Sequence, residues 1–280
     1  MCTLLSLSPL LLLPLAAAST WRLSSDSPDL FYRPGAIAII PQDNRTVYLE
    51  AFRAAREEIR IEICVLEDPT ILQGMLSRFL LLQRPASTPQ NHSSAALSPQ
   101  SIPGLQAALA RGVSVRALVD NGKYQSNSDE QANLETYLTD NGGILHLSNP
   151  IFPRSFPKVI LIDEKAVLVG SACLDSTTFE EYRDYVYVSN RRRLIKDLAT
   201  LFENDWSYSR PPQLNNTYPP VNPTPPTKDK TLMVSPVNAA DRYIAFLQKA
   251  KRTLDVTSEE WGNPTLQSQL VAAVTERGVR

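Results

Sequence analysis

The sequence predicts an α/β fold in which a mixed, largely parallel sheet is covered by helices on both faces. Short β-branched apolar runs alternate along the chain with segments of helical periodicity. With 43% apolar residues among 280, the chain can bury one large core or two smaller ones. The apolar positions near the C-terminus repeat those near the N-terminus, which indicates a tandem duplication.

The first predicted unit spans residues 35–208 and alternates between strand and helix. Strands are predicted over runs of β-branched and apolar residues at 36–40, 59–66, 113–119 and 144–147. Helices are predicted where apolar residues recur at helical spacing, at 46–58, 70–82, 105–111, 129–140 and 194–206. Residues 83–103 are rich in proline and serine, which favours a surface loop. This order of elements is typical of βαβ units.

Residues 156–187 predict a strand, a tight turn, a second strand and then a polar loop. The two strands are 159–162 and 166–169, and the polar residues 163–165 between them favour a hairpin turn. Because polar residues stand where these strands begin and end, we expect their side chains to collect at the ends of the sheet.

Four of these residues have the spacing of a known motif. The sequence resembles the phospholipase D superfamily, whose motif is a histidine, one residue, a lysine, four residues and an aspartate, followed by a turn, a strand and Gly-Ser-x-Asn. The matching positions hold Lys158, Asp163, Gly170 and Ser171. The histidine position holds Phe156, and the asparagine position holds Cys173. The resemblance implies a phospholipase D-like fold and a phosphate pocket.

The same resemblance implies roles for three residues. Lys158 and Ser171 are expected to bind phosphate, and Asp163 is expected to orient partners within the motif. The same residues also have a purely structural interpretation. In it, the lysine simply lies at the end of a strand, the aspartate forms a turn, and the Gly-Ser pair forms a bend. Glu181 and Asp184 are candidates for the rim of the pocket. The alternative interpretation is that both are ordinary exposed carboxylates on a loop.

Two hypotheses about activity follow. In the first, the chain belongs to a phosphodiesterase or phosphatidyltransferase family that acts on phospholipid phosphodiesters through a covalent phosphohistidine. Phe156 stands in the histidine position, and phenylalanine can neither attack phosphorus nor transfer a proton, so the chain as given is expected to be inactive. The alternative is a noncatalytic protein that binds phosphate or lipid headgroups, or a gene fragment.

Composition and charge bear on partners. The net charge is −1, from 28 basic and 29 acidic residues, which provides no overall field for nucleic acid and favours a phospholipid or another phosphodiester as the ligand. A membrane surface and self-association are further expected partners. No cofactor is expected, and His92 and His146 have no partners at metal-ligand spacing, so no metal is expected either.

Residues 1–20 predict a secretory signal peptide or an N-terminal anchor. An apolar run ends in small residues typical of a cleavage site, although no positive side chain precedes it. A wrongly assigned start of the sequence is the third alternative. Glycosylation sequons at Asn44, Asn91 and Asn215 are compatible with the secretory route. We therefore expect a secretory or extracellular location, with membrane association as an option.

Two cysteines, Cys64 and Cys173, remain if the leader is removed. Both are expected near the ends of neighbouring strands. Two interpretations stay open: one disulfide, with a Cα separation of about 4.4 to 6.8 Å, or two buried free thiols, which is the blander expectation.

A proline-rich linker at 209–230 separates the first unit from a second one at 231–280. Shifting the second unit by 195 residues places Pro236 on Pro41 and Leu254 on Ile59, with apolar positions preserved between them. The second unit is thus expected to contain strand, helix, strand and helix. Because the copy stops at Arg280, at the start of the strand equivalent to 113–119, we expect it to be truncated.

Overall fold

The computed structural model describes residues 35–43, 45–72, 104–124, 128–212, 217–221, 224–258 and 262–280. Its strands are β1 (Ala36–Ile40), β2 (Glu58–Ile63), β3 (Ser114–Val119), β4 (Ile144–Leu147), β5 (Lys158–Ile162), β6 (Ala166–Gly170) and β7 (Asp184–Ser189). Its helices are α1 (Thr46–Ala54), α2 (Leu105–Ala110), α3 (Asn121–Tyr124), α4 (Ser128–Asp140), α5 (Ser176–Glu181), α6 (Arg192–Ser207), α7 (Ala239–Gln248) and α8 (Pro264–Thr275).

The seven strands form one sheet in the order β1-β7-β6-β5-β2-β3-β4. Only the β2–β3 and β3–β4 pairs are parallel, while β1–β7, β7–β6, β6–β5 and β5–β2 are antiparallel. The prediction of a mixed α/β sheet is confirmed, but the prediction that it is largely parallel is wrong. One reason is that a tight hairpin joins β5 to β6, which forces antiparallel pairing, and β7 and β1 continue the alternation of direction beside them.

Helices cover both faces of the sheet, as predicted. On one face, α1, α2 and α4 pack against side chains such as Ile61 and Ile160. On the other face, α6 packs against Leu118, Leu161 and Val167. Because both faces are buried, the central strands are almost continuously apolar, and successive residues of β5 alternate between the two cores.

Most predicted boundaries agree with the structure to within a few residues. The exceptions lie around β2, where the helix predicted at 46–58 ends at Ala54 and the strand begins at Glu58. The helix predicted at 70–82 lies mostly outside the described residues. The polar loop predicted after β6 is wrong, since it contains α5 and the strand β7.

The turn between β5 and β6 matches the predicted hairpin. Asp163 and Glu164 have φ values of 51° and 49°, so both central residues are in the left-handed region. Turns of this kind twist in the sense that adjacent strands require. Aspartate is one of the few residues other than glycine that tolerates this conformation well.

The second unit contains α7 and α8 but, within 224–258 and 262–280, none of the strands that were predicted for it. Two hydrogen bonds of the first unit nevertheless have a counterpart in the second unit at the positions that the proposed repeat aligns. Arg111 Nη2 donates to Phe52 O at 2.7 Å, and Arg277 Nη2 donates to Leu247 O at 3.3 Å. The amide of Ser114 donates to Glu57 O at 3.0 Å, and that of Arg280 to Arg252 O at 2.9 Å. The tandem duplication stays a prediction.

The end of the predicted linker is held against α6. Asp197 is buried on this helix and accepts the backbone amides of Lys228 and Asp229 at 2.6 and 2.5 Å. Arg191 in turn forms an ion pair with Asp229 at 2.7 Å. Leu232 and Val234 then pack on the α6 side of the core, so the chain enters the second unit from a defined position.

A buried carboxyl group lies beneath α6. Glu62 on β2 is close to Asp205 on α6, and Tyr208 donates a hydrogen bond to Asp205. Burial, followed by the charge of Asp205 and a hydrogen bond to it, raises the pKa of Glu62 well above 4.5. The folded protein therefore keeps a proton on Glu62 at pH values where the unfolded chain has lost it.

We expect this proton to make the free energy of unfolding fall as the pH rises above about 4.5. In that range the folded state binds more protons than the unfolded state, so the slope from this group is negative, by at most about 1.4 kcal/mol per pH unit. The effect continues until the pH passes the pKa of Glu62 in the folded protein. Below pH 4.5 both states are protonated and the contribution is flat.

Urea unfolding over a pH series measures this slope. Glu62→Gln should flatten it, because the amide keeps a hydrogen bond to Asp205 without titrating. Glu57→Gln, at an exposed position, is the control and should leave the slope unchanged. An unaltered pH profile in Glu62→Gln would contradict the assignment.

Candidate functional site

The candidate site lies at the end of the sheet where β5 and β7 begin and β2 and β6 finish. Lys158 opens β5 and is the register partner of Ile63, the last residue of β2. Gly170 closes β6 and pairs with Val186 on β7. Lys158 and Gly170 both line a shallow crevice at the protein surface. Its other lining residues, all on the α1 face, are Tyr48, Ile63, Ile160, Leu168, Ala172 and Val186.

Gly170 allows a close approach between β6 and β7. A Cβ atom built on it would lie 2.7 Å from the carbonyl oxygen of Tyr185. Any side chain here would push the strands apart and move the residue that follows. The glycine of the motif therefore sets the position of Ser171.

Ser171 is fixed by β7. Its hydroxyl donates to Asp184 Oδ1 at 2.5 Å and accepts the backbone amide of Tyr185 at 3.1 Å. The Ser171 amide donates to Tyr185 O at 3.0 Å. Asp184, a candidate from the sequence, thus lies at the site. Glu181, the other candidate, is exposed at the end of α5, and no hydrogen bond of its side chain to these residues is seen.

Lys158 lies next to the residue that stands in the histidine position. Its Nζ is 3.3 Å from Phe156 O and 4.7 Å from the centre of the Phe156 ring. The guanidinium carbon of Arg154 is 5.6 Å from the same ring. The Phe156 ring is thus held among cations at the mouth of the site.

Asp163 is not part of this site. It follows the far end of β5, and five residues of extended strand separate it from Lys158 by about 16 Å. Its carboxylate accepts the backbone amides of Arg56, Glu57 and Glu58 at 2.9, 2.8 and 2.9 Å. The structure therefore places the Asp163 side chain at the opposite end of the sheet from Lys158, where it fixes the entry into β2, and its expected role of orienting partners within the motif stays a prediction.

Cys173 forms a disulfide with Cys64, and the Cα atoms are 6.0 Å apart. The expectation of two free thiols is wrong, and the disulfide weighed against it is present at a separation within the expected range. Cys64 follows β2 directly, and Cys173 lies two residues beyond Ser171. The bond therefore connects the two chain segments that border the crevice.

Tyr48 was not singled out in the sequence. It is buried on α1 and lines the crevice, and burial, followed by the charge of Asp184, raises its pKa well above the ordinary range. Its ring also contacts Phe179 edge to face, with centroids 5.7 Å apart. Helical periodicity predicts that residue 48 is internal, but nothing in the local sequence indicates that it faces this crevice.

His146 lies away from the site. It is on β4, three strands from β5 or about 14 Å, and on the opposite face, stacked on Trp206 of α6 at 3.8 Å. Its Nδ1 is 2.7 Å from Ser209 Oγ, and burial, followed by the charge of Arg116, lowers its pKa to about 4. In the part of the chain that the structure describes, no histidine therefore reaches Lys158. His92 lies outside that part.

The residues that the structure describes contain no group of three or more histidine, cysteine or carboxylate side chains that could hold a metal ion. None of their helices has both the length and the apolar character needed to span a bilayer.

Solved structures with a similar arrangement of strands and helices have low sequence identity. Polyphosphate kinase from Porphyromonas gingivalis is 16% identical with a TM-score of 0.56, and the match covers 89% of this chain and 37% of the kinase. A phospholipase D family member, Nuc, from Salmonella typhimurium is 19% identical over 63% of this chain and 97% of its own, with a TM-score of 0.47. NucT from Helicobacter pylori is 16% identical with a TM-score of 0.46, and the match covers 63% of this chain and 98% of NucT.

A family described as "Cardiolipin synthase, PLD-like domain" matches residues 93–206. No curated protein is significantly similar to this chain in sequence. The family match includes Lys158, Gly170 and Ser171, which the structure brings to one end of the sheet, together with Asp184 beside them. By this match and these motif positions, residues 93–206 resemble the phospholipase D-like domain that this family describes.

Proposed function

We propose that this chain is a phospholipase D-like protein that binds the phosphodiester of phospholipids at Lys158 and Ser171 and does not turn it over. The observation that carries the proposal is that the lysine and the Gly-Ser pair stand together at one end of the sheet, while the histidine position holds Phe156. The binding half of the motif is kept and the nucleophile is replaced.

Binding rests on ordinary anion chemistry. A lysine ammonium and a serine hydroxyl are both donors to phosphate oxygens. The Asp184 carboxylate accepts from Ser171 at 2.5 Å and fixes the orientation of that hydroxyl, but its negative charge works against an anion. A dissociation constant in the millimolar range, about −4 kcal/mol, is the expected result.

Inactivity rests on the chemistry of Phe156. A benzyl side chain cannot form a covalent phosphoryl intermediate, and general acid catalysis, which contributes about 10²- to 10⁴-fold, is lost with the imidazole. Lys158 and Ser171 can still position a phosphate, but positioning does not replace a nucleophile. The alternative is a phosphodiesterase in which a residue outside the described part supplies the missing group.

We further propose that residues 231–280 are the start of a second phospholipase D-like repeat. The two hydrogen bonds shared between aligned positions of the two units support this. The apolar side chains of Phe246 and Val271, which are largely exposed on α7 and α8, fit a unit whose core is only partly assembled.

A secretory or extracellular location is also proposed. The predicted leader at 1–20 lies outside the described residues. The disulfide between Cys64 and Cys173 supports the proposal, because such bonds persist mainly in oxidising compartments.

The test of the proposed function is ligand protection combined with an activity assay. Phosphate or sulfate at about ten times its dissociation constant should stabilise the protein by about 1.4 kcal/mol, which is a rise of about 3 °C in Tm. Lys158→Ala should abolish this protection. Neither protein should hydrolyse a phospholipid or a generic phosphodiester.

Lys165→Ala is the matched control. This lysine belongs to the same hairpin but lies at its other end, paired with Glu57 at 3.0 Å, so the variant should keep full protection by phosphate. Equal loss of protection in both variants would mean that the effect is one of general charge. Turnover that survives Lys158→Ala would show that the pocket is wrongly assigned, and turnover that disappears with it would show that another group has replaced the histidine.

A further inference from the structure

We propose that the loop between β4 and β5 is a membrane-docking loop, which places Ile151 and Phe156 in the headgroup region of an anionic bilayer. The loop comprises residues 148–157. This surface borders the proposed phosphate site and shares Lys158 with it, and the test separates the two by measuring vesicle binding and phosphate protection independently.

Two large apolar side chains of this loop, those of Ile151 and Phe156, are exposed to solvent. Ile151 is 65% exposed and Phe156 is 49% exposed, whereas most large apolar residues of the first unit are buried. The charged residue between them, Arg154, is also exposed. An aliphatic side chain, an aromatic ring and a cation on one short loop are the combination that binds at a membrane interface.

The exposure is built into the loop, because buried polar groups anchor it. Asn149 is buried, and its Oδ1 accepts the amide of Ile151 at 3.0 Å while its Nδ2 donates to Tyr208 O at 3.1 Å and Pro219 O at 3.2 Å. Asp120, also buried, accepts the amide of Ser155 at 2.7 Å. These anchors keep the loop from folding its apolar side chains back onto the protein.

Proline adds to this fixed geometry. Pro150, Pro153 and Pro157 restrict the backbone of the loop, so less conformational entropy is lost when its tip enters an ordered interface. Docking by such a loop needs no folding step. The two anchors and the prolines together define a rigid tip with Ile151 and Phe156 on it.

The sign of the charge identifies the partner. Arg154 and Lys158 both lie beside the Phe156 ring, at 5.6 and 4.7 Å. Cations next to an inserted apolar side chain bind anionic headgroups, and each contributes about fivefold to partitioning onto a negative surface. An anionic phospholipid bilayer satisfies the apolar and the charged groups at once, whereas a nucleic acid offers no apolar layer for Ile151.

Position-specific fluorescence in the full chain tests the proposal. With vesicles of phosphatidylcholine and phosphatidylserine, Phe156→Trp should show a blue shift of its added tryptophan emission and quenching by brominated acyl chains. Val271→Trp, at a similarly exposed apolar position on α8, is the matched control and should show neither. This readout reports on the loop even if the predicted N-terminal anchor also binds the vesicles.

Substitution tests the contribution of each group. Ile151→Ser should weaken binding to the anionic vesicles about tenfold, and Arg154→Ala should weaken it about fivefold. In vesicles of phosphatidylcholine alone, Arg154→Ala should bind as well as the unsubstituted protein, because no anionic headgroup is present. Both variants should keep protection by phosphate, which separates this inference from the proposed function. An unshifted Phe156→Trp emission in saturating anionic vesicles, or equal shifts at residues 156 and 271, would overturn the proposal.

Discussion

Asp163→Ala is expected to destabilise the protein by about 3 to 5 kcal/mol while leaving the affinity for phosphate unchanged. The carboxylate accepts three backbone amides, those of Arg56, Glu57 and Glu58, at the start of β2. Removing it leaves three donors without their partner and removes a side chain suited to a φ of 51°. Urea unfolding measures the first effect, and phosphate titration of the folded variant measures the second.

Asp163→Asn provides an internal comparison. Its amide oxygen can still accept from Glu57 and Glu58, but its NH₂ group would face the amide of Arg56, so an intermediate loss of about 2 kcal/mol is expected. Glu164→Ala, at the exposed neighbour in the same turn, should cost less than about 1 kcal/mol. A stable Asp163→Ala variant that no longer binds phosphate would restore the role in the site that the motif alone implies.

Removal of the disulfide is expected to have a comparably large effect. Cys64 and Cys173 are separated by 109 residues in sequence, so the bond closes a long loop in the unfolded chain. On the chain-entropy account, replacing both by alanine should reduce the free energy of unfolding by about 3 to 5 kcal/mol. Chemical unfolding of the oxidised protein and the double variant gives this difference directly.

The same substitution should also weaken phosphate protection, because Cys173 lies only two residues after Ser171. Reductant should shift the unfolding midpoint of the native sequence and leave that of the double variant in place. Thiol titration of the unfolded, unreduced protein should find no free thiol from Cys64 or Cys173. Detection of both thiols would exclude the bond.

Local sequence patterns predicted most helices and strands of the first unit. Residues 36–40 and 144–147 were predicted to the residue, because short apolar runs bounded by turn residues are a local signal. β7 was missed although Tyr185 to Ser189 alternate in character, because the polar residues before it suggested a loop. That omission also led to the wrong balance of parallel and antiparallel pairs, since pairing depends on which strands meet in space.

The motif spacing in the sequence selected Lys158, Gly170 and Ser171, and the structure places them at one end of the sheet because they open or end neighbouring strands. Three assignments required the tertiary structure. Asp163 has the spacing of a site residue, but the direction of β5 carries it to the opposite end of the sheet. Tyr48 reaches the crevice only because α1 packs on the face of the sheet that the crevice borders. Cys64 meets Cys173 only because the segments after β2 and β6 run side by side. These are contacts between residues far apart in the chain, and local periodicity contains no information about them.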